Sequence, residues 1–286
     1  MSETLPDEFQ RLPVVVCGAG RVGLSLVNGL TAAHWPVAQI LLRDESSAGN
    51  HRLAKDLAVP LIHIHRWQAQ IAPHVLLLAI PDDALAAAAE LLQHKFATVP
   101  AAGWVALHTS GIHDAAILAP LRTVGMAIGS WHPAQTFPRP DRTLFAGIPI
   151  TIEGEPAAMT AGYHLALALG ARPVNVTPQL KQLFHCLCTI SCSHLAALPL
   201  FCHSALAAYP AEERRLLWTA LLHLSQTTLQ NMSDSPDPRS AVTGPVVRGD
   251  DRTVSRHVDL LTRQFPHWRP IYEKLNHFLK RILLSR

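Results

Sequence analysis

A glycine-rich turn near the amino terminus constrains the fold of this chain more than any other feature. Residues Gly18–Gly23 read Gly-Ala-Gly-Arg-Val-Gly; they follow the apolar run Val14–Cys17 and open a helical pattern that extends to Ala33. In a G-x-G-x-x-G turn the first glycine permits the bend, the second lets a pyrophosphate approach the backbone, and the third lets the helix pack on the strand. The helix would point its free N–H groups at the phosphates. The pattern therefore predicts a dinucleotide site, with a purely structural turn as the alternative.

The predicted cofactor contacts extend from this turn to the end of the second strand, Val37–Leu42. In the turn they are Gly18, Ala19, Gly20, Arg21, Val22 and Gly23. Arg43 follows the second strand, where an arginine accepts the 2′-phosphate of NADP, and Ser46 lies close behind it. Asp44 could instead bind the ribose hydroxyls of NAD or cap the next helix. The sequence favours NADP and leaves NAD open.

Strands and helices alternate through the first part of the chain, and only helical patterns follow Pro178. The predicted later strands are Val75–Ile80, Trp104–Leu107, Ile148–Ile152 and Pro173–Val176. The predicted C-terminal helices are Pro178–Tyr209, Ala211–Met232, Asp251–Phe265 and Pro270–Leu284. This order predicts an α/β fold, a Rossmann doubly wound parallel sheet with a C-terminal all-α domain. We expect a dinucleotide-binding domain at 11–176 and a helical domain for substrate binding and dimerisation at 177–286.

The carboxyl ends of the later strands supply further candidate contacts, because ligands of such sheets bind at that edge. Ile80 and Pro81 end one strand and are predicted to line the cofactor. Either Asp82 or Asp83 is expected to cap the helix that follows. His108, Ser110 and Gly111 end the next strand and are predicted to lie near the nicotinamide. A core histidine bonded to backbone is the alternative for His108.

Composition excludes several classes of function. The chain of 286 residues is 49% hydrophobic and 16% charged, with a net charge of +3. Its basic residues are scattered, which argues against nucleic-acid binding. We find no apolar run of the ~20 residues needed to span a bilayer. The polar, acidic start of the chain does not resemble a secretory signal. Five cysteines, four of them in one helical stretch, favour reduced thiols and a cytoplasmic protein.

Four longer motifs point to a family. HTSG at 108–111, WHPAQTF at 131–137, FHCLCTISCSHLAAL at 184–198 and TGPVVRGD at 243–250, together with the glycine turn, resemble Rossmann-like proteins with a DUF2520 domain. These proteins are similar to ketopantoate reductase, pyrroline-5-carboxylate reductase and the wider 6-phosphogluconate-dehydrogenase-like group. The resemblance implies an NAD(P)-binding domain followed by a helical domain that closes the cleft, and a homodimer. It also implies hydride transfer to a small anionic substrate, a 2-oxo acid or an imine carboxylate.

One helix face carries the predicted catalytic residues. His185, Thr189 and Ser193 recur at i, i+4 and i+8 and would share that face. In ketopantoate reductases the similar helix carries a lysine and two amides at this rhythm, and the lysine donates the proton. His185 falls at the lysine position and is suited to give a proton near neutral pH. Ser193 replaces the asparagine usual in DUF2520 proteins, so a catalytically silent NAD(P)-binding sensor or scaffold is the alternative function.

Substrate contacts are expected from His132 and Arg248. Arg248 could clamp a substrate carboxylate, or it could pair with Asp250 within its loop. Asp250 or Asp251 is expected to cap the following helix. His185, Cys188 and Cys192 also share a helix face that zinc could use. Without an evident fourth ligand, we predict no metal.

Overall fold

The computed structural model describes residues 11–43, 59–72 and 74–284. The chain forms two compact units, Met1–Cys192 and Ser193–Arg286. The first unit therefore includes the helix that carries His185. The predicted boundary at 176/177 separates a dinucleotide-binding domain from a substrate-binding domain. This division by function stays a prediction.

An eight-stranded sheet organises the first unit. Its strands are β1 Val14–Cys17, β2 Val37–Leu42, β3 Leu61–His63, β4 Val75–Leu78, β5 Val105–His108, β6 Ala127–Pro133, β7 Pro149–Gly154 and β8 Arg172–Asn175. Their order in the sheet is β3-β2-β1-β4-β5-β6-β7-β8. All neighbouring pairs are parallel except β6 and β7, which are antiparallel. The predicted α/β Rossmann class is confirmed.

Five α-helices accompany this sheet in the described residues. They are α1 Arg21–Ala32, α2 Leu85–Lys95, α3 Ala119–Thr123, α4 Pro156–Ala168 and α5 Pro178–Thr189. Leu24, Val27 and Leu30 of α1 are buried, as the helical spacing predicts. The expectation that Asp82 or Asp83 caps a helix is wrong. Both lie in a short 3-10 turn, and neither side chain makes a capping hydrogen bond.

Both faces of the sheet are buried, which explains why β1 and β4 are continuous apolar runs. The face toward α1 and α4 includes Val14, Val16, Leu77 and Trp131. The opposite face includes Val15, Leu76, Leu78, Trp104 and Ile128. Among these apolar residues the second face also carries polar side chains at the ends of β5, β6 and β7, and these belong to the candidate site.

The predicted strands are confirmed, with ends that differ by at most two residues. β3 is not predicted, because Leu61–His63 is too short to show a periodic pattern. β6 continues through the Trp-His-Pro motif, beyond the apolar residues before it. The motif therefore begins within the sheet.

The second unit has helices and no strand in its described residues. They are α6 Leu195–Ala205, α7 Ala211–Asp234, α8 Pro245–Arg248, α9 Asp251–Gln264 and α10 Arg269–Leu284. The predicted helix Pro178–Tyr209 is divided by a π-helical segment, Ile190–His194. Within the unit, Phe201 stacks on Trp268 with ring centroids 3.9 Å apart. Asp250 caps α9 by accepting a hydrogen bond from the Thr253 N–H at 3.1 Å, which confirms one of the two predicted caps.

One helical stretch in the described part of the chain is long and apolar enough to cross a membrane, by length and composition alone. It runs from Pro178 to Ala205, and its most apolar window has a mean hydropathy of 1.5. Since no uninterrupted apolar run of that length was expected, the stretch is more apolar on average than the sequence predicted. Apolar helices of globular proteins meet the same criterion, so the finding by itself gives the helix no place in a membrane.

Candidate functional site

Of the three glycines in the turn after β1, only one has open space where a side chain would lie. Gly18 has a φ of +108°, and a Cβ there would lie 2.4 Å from the Ala79 carbonyl oxygen. A Cβ on Gly23 would lie 2.1 Å from the Gly18 carbonyl oxygen. A Cβ on Gly20 would meet no atom of the described residues within 4 Å. The first and third glycines are thus required by the protein's own packing, whereas open space adjoins the second.

The amino end of α1 suits an anion. Gly20 is the N-cap, no side chain of the described residues caps the helix, and its first turn has no acidic residue. The first N–H groups of α1 are therefore available to phosphate oxygens. This end of the helix and the space beside Gly20 fit the pyrophosphate of a dinucleotide.

The other predicted cofactor residues lie near this turn or just after a strand. Ile80 approaches the turn, because its Cγ2 would be 3.0 Å from a Cβ on Gly18. Pro81 follows it and is exposed. Arg43 is exposed directly after β2, in the place expected for a residue that binds the 2′-phosphate. Ser46 and Asp44 lie outside the described residues.

Gly20→Ala separates cofactor binding from folding. The added methyl group meets no described atom and occupies the space beside the α1 amino end. We expect an unchanged melting temperature and an affinity for NADPH at least about tenfold lower, a change that corresponds to roughly 1.4 kcal/mol. Calorimetric titration measures the affinity. Gly23→Ala is the comparison, because its Cβ collides with backbone and should destabilise the fold itself.

A short loop after β5 is held by buried ionisable side chains. We call Ser110–Ala115 the clamped loop. Lys181 of α5 is 1% exposed, and its Nζ donates to the carbonyl oxygens of Ser110 at 2.5 Å and Gly111 at 3.0 Å. His108 Nε2 lies 3.0 Å from the Asp114 carbonyl oxygen. Glu153 Oε1 accepts a hydrogen bond from the Ala115 N–H at 2.7 Å. Side chains from β5, β7 and α5 thus fix both ends of this loop.

Two imidazoles converge on Gly111 in the clamped loop. A Cβ on Gly111 would lie 2.1 Å from His185 Nδ1 and 2.8 Å from His132 Nε2. The two rings are edge to face, with centroids 5.5 Å apart. His185 Nδ1 and His132 Nδ1 are buried and have no hydrogen-bond partner among the described residues. The structure therefore brings together three of the predicted residues, and only glycine fits at position 111.

The electrostatics of the site follow from burial. Burial, with the nearby Lys181 charge, lowers the pKa of His108 and of His132 to about 3. Burial also lowers the pKa of Lys181 to about 8, although Glu153, Asp82 and Asp114 oppose the change. Burial raises the pKa of Glu153, against its hydrogen bond and the Lys181 charge. Near neutral pH, His108 and His132 are uncharged and Lys181 supplies positive charge.

His108 itself is fully buried and bound to the Asp114 carbonyl. This arrangement matches the alternative in which it is a core histidine. Ser110 is also buried, and its hydroxyl accepts from the His113 N–H at 3.2 Å. Both side chains therefore make hydrogen bonds to the backbone of the clamped loop at the end of β5.

For the other predicted residues the structure shows local contacts within their own elements. The Thr189 hydroxyl donates to the His185 carbonyl oxygen at 3.2 Å, within the helix. Ser193 is exposed in the π-helical segment and begins the second unit, so the regular i, i+4, i+8 rhythm ends before it. Arg248 is exposed at the end of α8. In the described part of the chain it forms no ion pair with Asp250. The pKa of the Asp250 carboxyl is lowered mainly by two hydrogen bonds from Thr253, and the Arg248 charge lowers it further.

Sequence reasoning missed Lys181 and Glu153. Lys181 is one turn before His185, and because lysine side chains are almost never fully buried, the sequence carried no signal that this one is buried. Glu153 alternates with Ile150 and Ile152 along β7, which placed it on the face shared with Thr151. The alternation along β7 indicated the face of Glu153, but only the register with β6 shows that this face belongs to the site.

No metal centre is evident in residues 11–43, 59–72 and 74–284, where no group of three or more His, Cys, Asp and Glu side chains could hold an ion. All five cysteines are free. Cys17 is buried, and burial raises the pKa of its thiol to about 12.

Comparison with known proteins agrees with this organisation. Residues 4–133 match the model of a Rossmann-like domain. Residues 148–277 match the model described as a domain of unknown function, DUF2520. The chain is a Rossmann-like protein with a DUF2520 domain. The family resemblance is confirmed, and the DUF2520 match contains Glu153, Lys181 and His185. No curated protein sequence matches the chain.

Solved structures share the fold of this DUF2520 protein. A provisionally assigned NADP oxidoreductase from Bacteroides fragilis has 21% identity and a TM-score of 0.75, covering 94% of this chain and 98% of its own. Protein TM1727 from Thermotoga maritima has 17% identity and a TM-score of 0.70, covering 95% and 98%. Pyrroline carboxylate reductase from Plasmodium falciparum, solved with NADP bound, has 11% identity and a TM-score of 0.58, covering 95% and 98%. At these identities the likeness is one of fold.

Proposed function

We propose that this protein is an NADP-dependent oxidoreductase that transfers hydride to a small 2-oxo acid or imine carboxylate. A ketopantoate-like 2-oxo acid is the best single candidate. The observation that carries the proposal is the convergence of His132 and His185 on Gly111, beside the buried Lys181. This cluster follows β5, two strands from the glycine turn on the same edge of the sheet.

The spacing of the strands supports a reaction at this cluster. Neighbouring strands are about 4.8 Å apart, so the ends of β1 and β5 are separated by roughly 10 Å. A dinucleotide whose pyrophosphate lies at Gly20 would extend along this edge toward Gly111. Substrate would then lie between the carboxyl edge of the sheet and α5, both in the first unit. NADPH, when bound, supplies the hydride.

The residues of the cluster have separate tasks in this proposal. As hydride adds to the carbonyl or imine carbon, the π electron pair moves to the oxygen or nitrogen, which needs a proton. His185 would donate that proton from Nε2, which has no hydrogen-bond partner among the described residues. Lys181 would favour an anionic substrate through its charge while it holds the clamped loop. His132, uncharged, would position the substrate by hydrogen bonding.

A substrate panel tests the proposed function. We expect NADPH oxidation with at least one small 2-oxo acid or cyclic imine carboxylate, measured by the loss of absorbance of the reduced coenzyme. His185→Ala should abolish most of that rate. NADPH binding without oxidation across the panel would contradict the proposed reaction.

The second candidate is a catalytically silent NAD(P)-binding sensor or scaffold. It is favoured by the Thr189 hydroxyl, which is bonded within its own helix, and by the exposed Ser193 in the π-helical segment. Binding of NADPH without turnover would support this candidate over the first.

Arg43 should set the choice of coenzyme. In the proposed complex its guanidinium binds the 2′-phosphate, and hydrogen bonds to charged groups contribute about 1.5–3 kcal/mol. We expect Arg43→Ala to lower the affinity for NADPH roughly 10- to 150-fold and to leave the affinity for NADH within a factor of two. Calorimetry with both coenzymes measures this. Equal losses for the two would show that Arg43 does not read the phosphate.

We also propose a cytoplasmic homodimer formed through the second unit. None of the buried side chains in the described residues lies in this unit. Large apolar side chains are instead exposed there, among them Leu200 at 63%, Leu224 at 62% and Phe278 at 58%. A helical unit of this size normally buries an apolar face, and a second copy would cover it.

The dimer proposal predicts a mass in solution of twice 31.2 kDa in analytical ultracentrifugation. Leu224→Glu should shift the equilibrium toward monomer, because it places a charge on the apolar surface. Gln226→Glu adds the same charge about 200° around α7 and is the matched control. A wild-type protein that is monomeric at micromolar concentrations would refute the dimer.

A further inference from the structure

The clamped loop lies between two buried charges. Lys181 is 1% exposed and Glu153 is 5% exposed. They do not form a direct ion pair in the described residues. Instead the ammonium group binds carbonyl oxygens at the start of the loop, and the carboxylate binds the Ala115 N–H at its end. Each charge is satisfied by backbone dipoles of the same six residues.

The sheet register places Glu153 beside the imidazoles. Ser130 pairs with His108 on one side and with Glu153 on the other, while His132 pairs with Thr151. Because partners in register project to the same face, these five side chains share one surface. The hydroxyls of Ser130 and Thr151 are buried, and no described residue forms a hydrogen bond with them. Glu153, which binds the loop at Ala115, therefore lies on the same polar surface as His108 and His132.

The position of the loop backbone at Gly111 limits where the imidazoles of His132 and His185 can lie. Both imidazoles are so close to Gly111 that no Cβ would fit. Any shift of the loop backbone would therefore move His132 and His185 or lose their contact with it. A buried carboxylate without hydrogen-bond partners is costly, and the loop supplies such a partner to Glu153, the Ala115 N–H.

We infer that Glu153 is a positioning residue, which fixes the clamped loop through the Ala115 N–H and thereby holds His185 and His132 in their working geometry. Glu153 acts through the loop and does not touch substrate. The effect expected on kcat rests on the proposed function, whereas the effect expected on the positions of the imidazoles does not.

Histidine NMR spectra and kinetics of full-length variants test the inference. Glu153→Leu removes the acceptor, and Ala115→Pro removes the donor from the loop side, at the first position of a short helix that tolerates proline. We expect both to shift the imidazole signals of His132 and His185 and to lower kcat on the order of tenfold, with NADPH affinity within twofold of wild type. Glu153→Gln keeps an acceptor oxygen and should restore most of both properties.

Glu155→Leu is the matched control. Glu155 also accepts a backbone N–H, that of Ile128 at 3.0 Å, and pairs with Arg122, but it makes no hydrogen bond to the clamped loop in the described residues. Its variant should leave the imidazole signals unchanged. Unchanged signals in a folded Glu153→Leu or Ala115→Pro protein would overturn the inference. If Glu153→Leu fails to fold, Ala115→Pro decides. A wild-type protein without turnover would contradict the proposed function alone, since the NMR comparison would still decide the role of Glu153.

Discussion

Replacing His185 with alanine is expected to lower turnover at least about 100-fold, the lower range for loss of a general acid, and to leave NADPH affinity unchanged. The reason is the position of the ring. Its Nδ1 lies against Gly111 and is buried without a hydrogen-bond partner among the described residues, and no hydrogen bond involves Nε2 there either. This nitrogen is therefore available to a substrate at the carboxyl edge of the sheet.

Steady-state kinetics with the substrate found in the panel measure the effect, and fluorescence titration measures coenzyme affinity. Gln182→Ala is the control, because Gln182 is exposed on the same helix and should be neutral. Turnover within threefold of wild type in the His185 variant would remove its role as the acid.

Gly111→Ala is expected to impair the site without any change in a functional side chain. Its Cβ would lie 2.1 Å from His185 Nδ1 and 2.8 Å from His132 Nε2, so both rings must move. Overpacking of this kind costs typically 1–3 kcal/mol of stability. A displacement of about 1 Å at a reacting group can cost on the order of 100-fold in rate.

Thermal unfolding and kinetics of the variant separate these two effects. Ile112→Ala changes the adjacent residue, whose side chain is 40% exposed, and should alter neither. Wild-type rates in Gly111→Ala would show that the imidazoles have no fixed working position.

The sequence predicted most of the fold because its signals were local. The glycine turn defined the junction of β1 and α1, and continuous apolar runs defined β4 and β5. The short β3 carried no such signal. The π-helical segment at Ile190–His194 has no distinctive pattern, so the helix was expected to continue through Ser193. The antiparallel pairing of β6 and β7 likewise depends on tertiary structure.

The candidate site was predicted only in part, because its geometry depends on contacts distant in sequence. His185 was found from a motif, but the residue beneath the loop, Lys181, is 71 positions from its partner Ser110. Glu153 lies 38 positions from Ala115. Helical spacing grouped Thr189 with His185, yet its hydroxyl is bonded within the helix. Spacing shows which residues share a face, whereas burial decides what that face contacts.

A crystal structure of the protein with NADPH is the most direct test of the whole account. It should show the pyrophosphate at Gly20 and the reduced ring within contact distance of the loop that carries Gly111, next to His185. A coenzyme seated elsewhere, or its ring directed away from that loop, would contradict the proposed site.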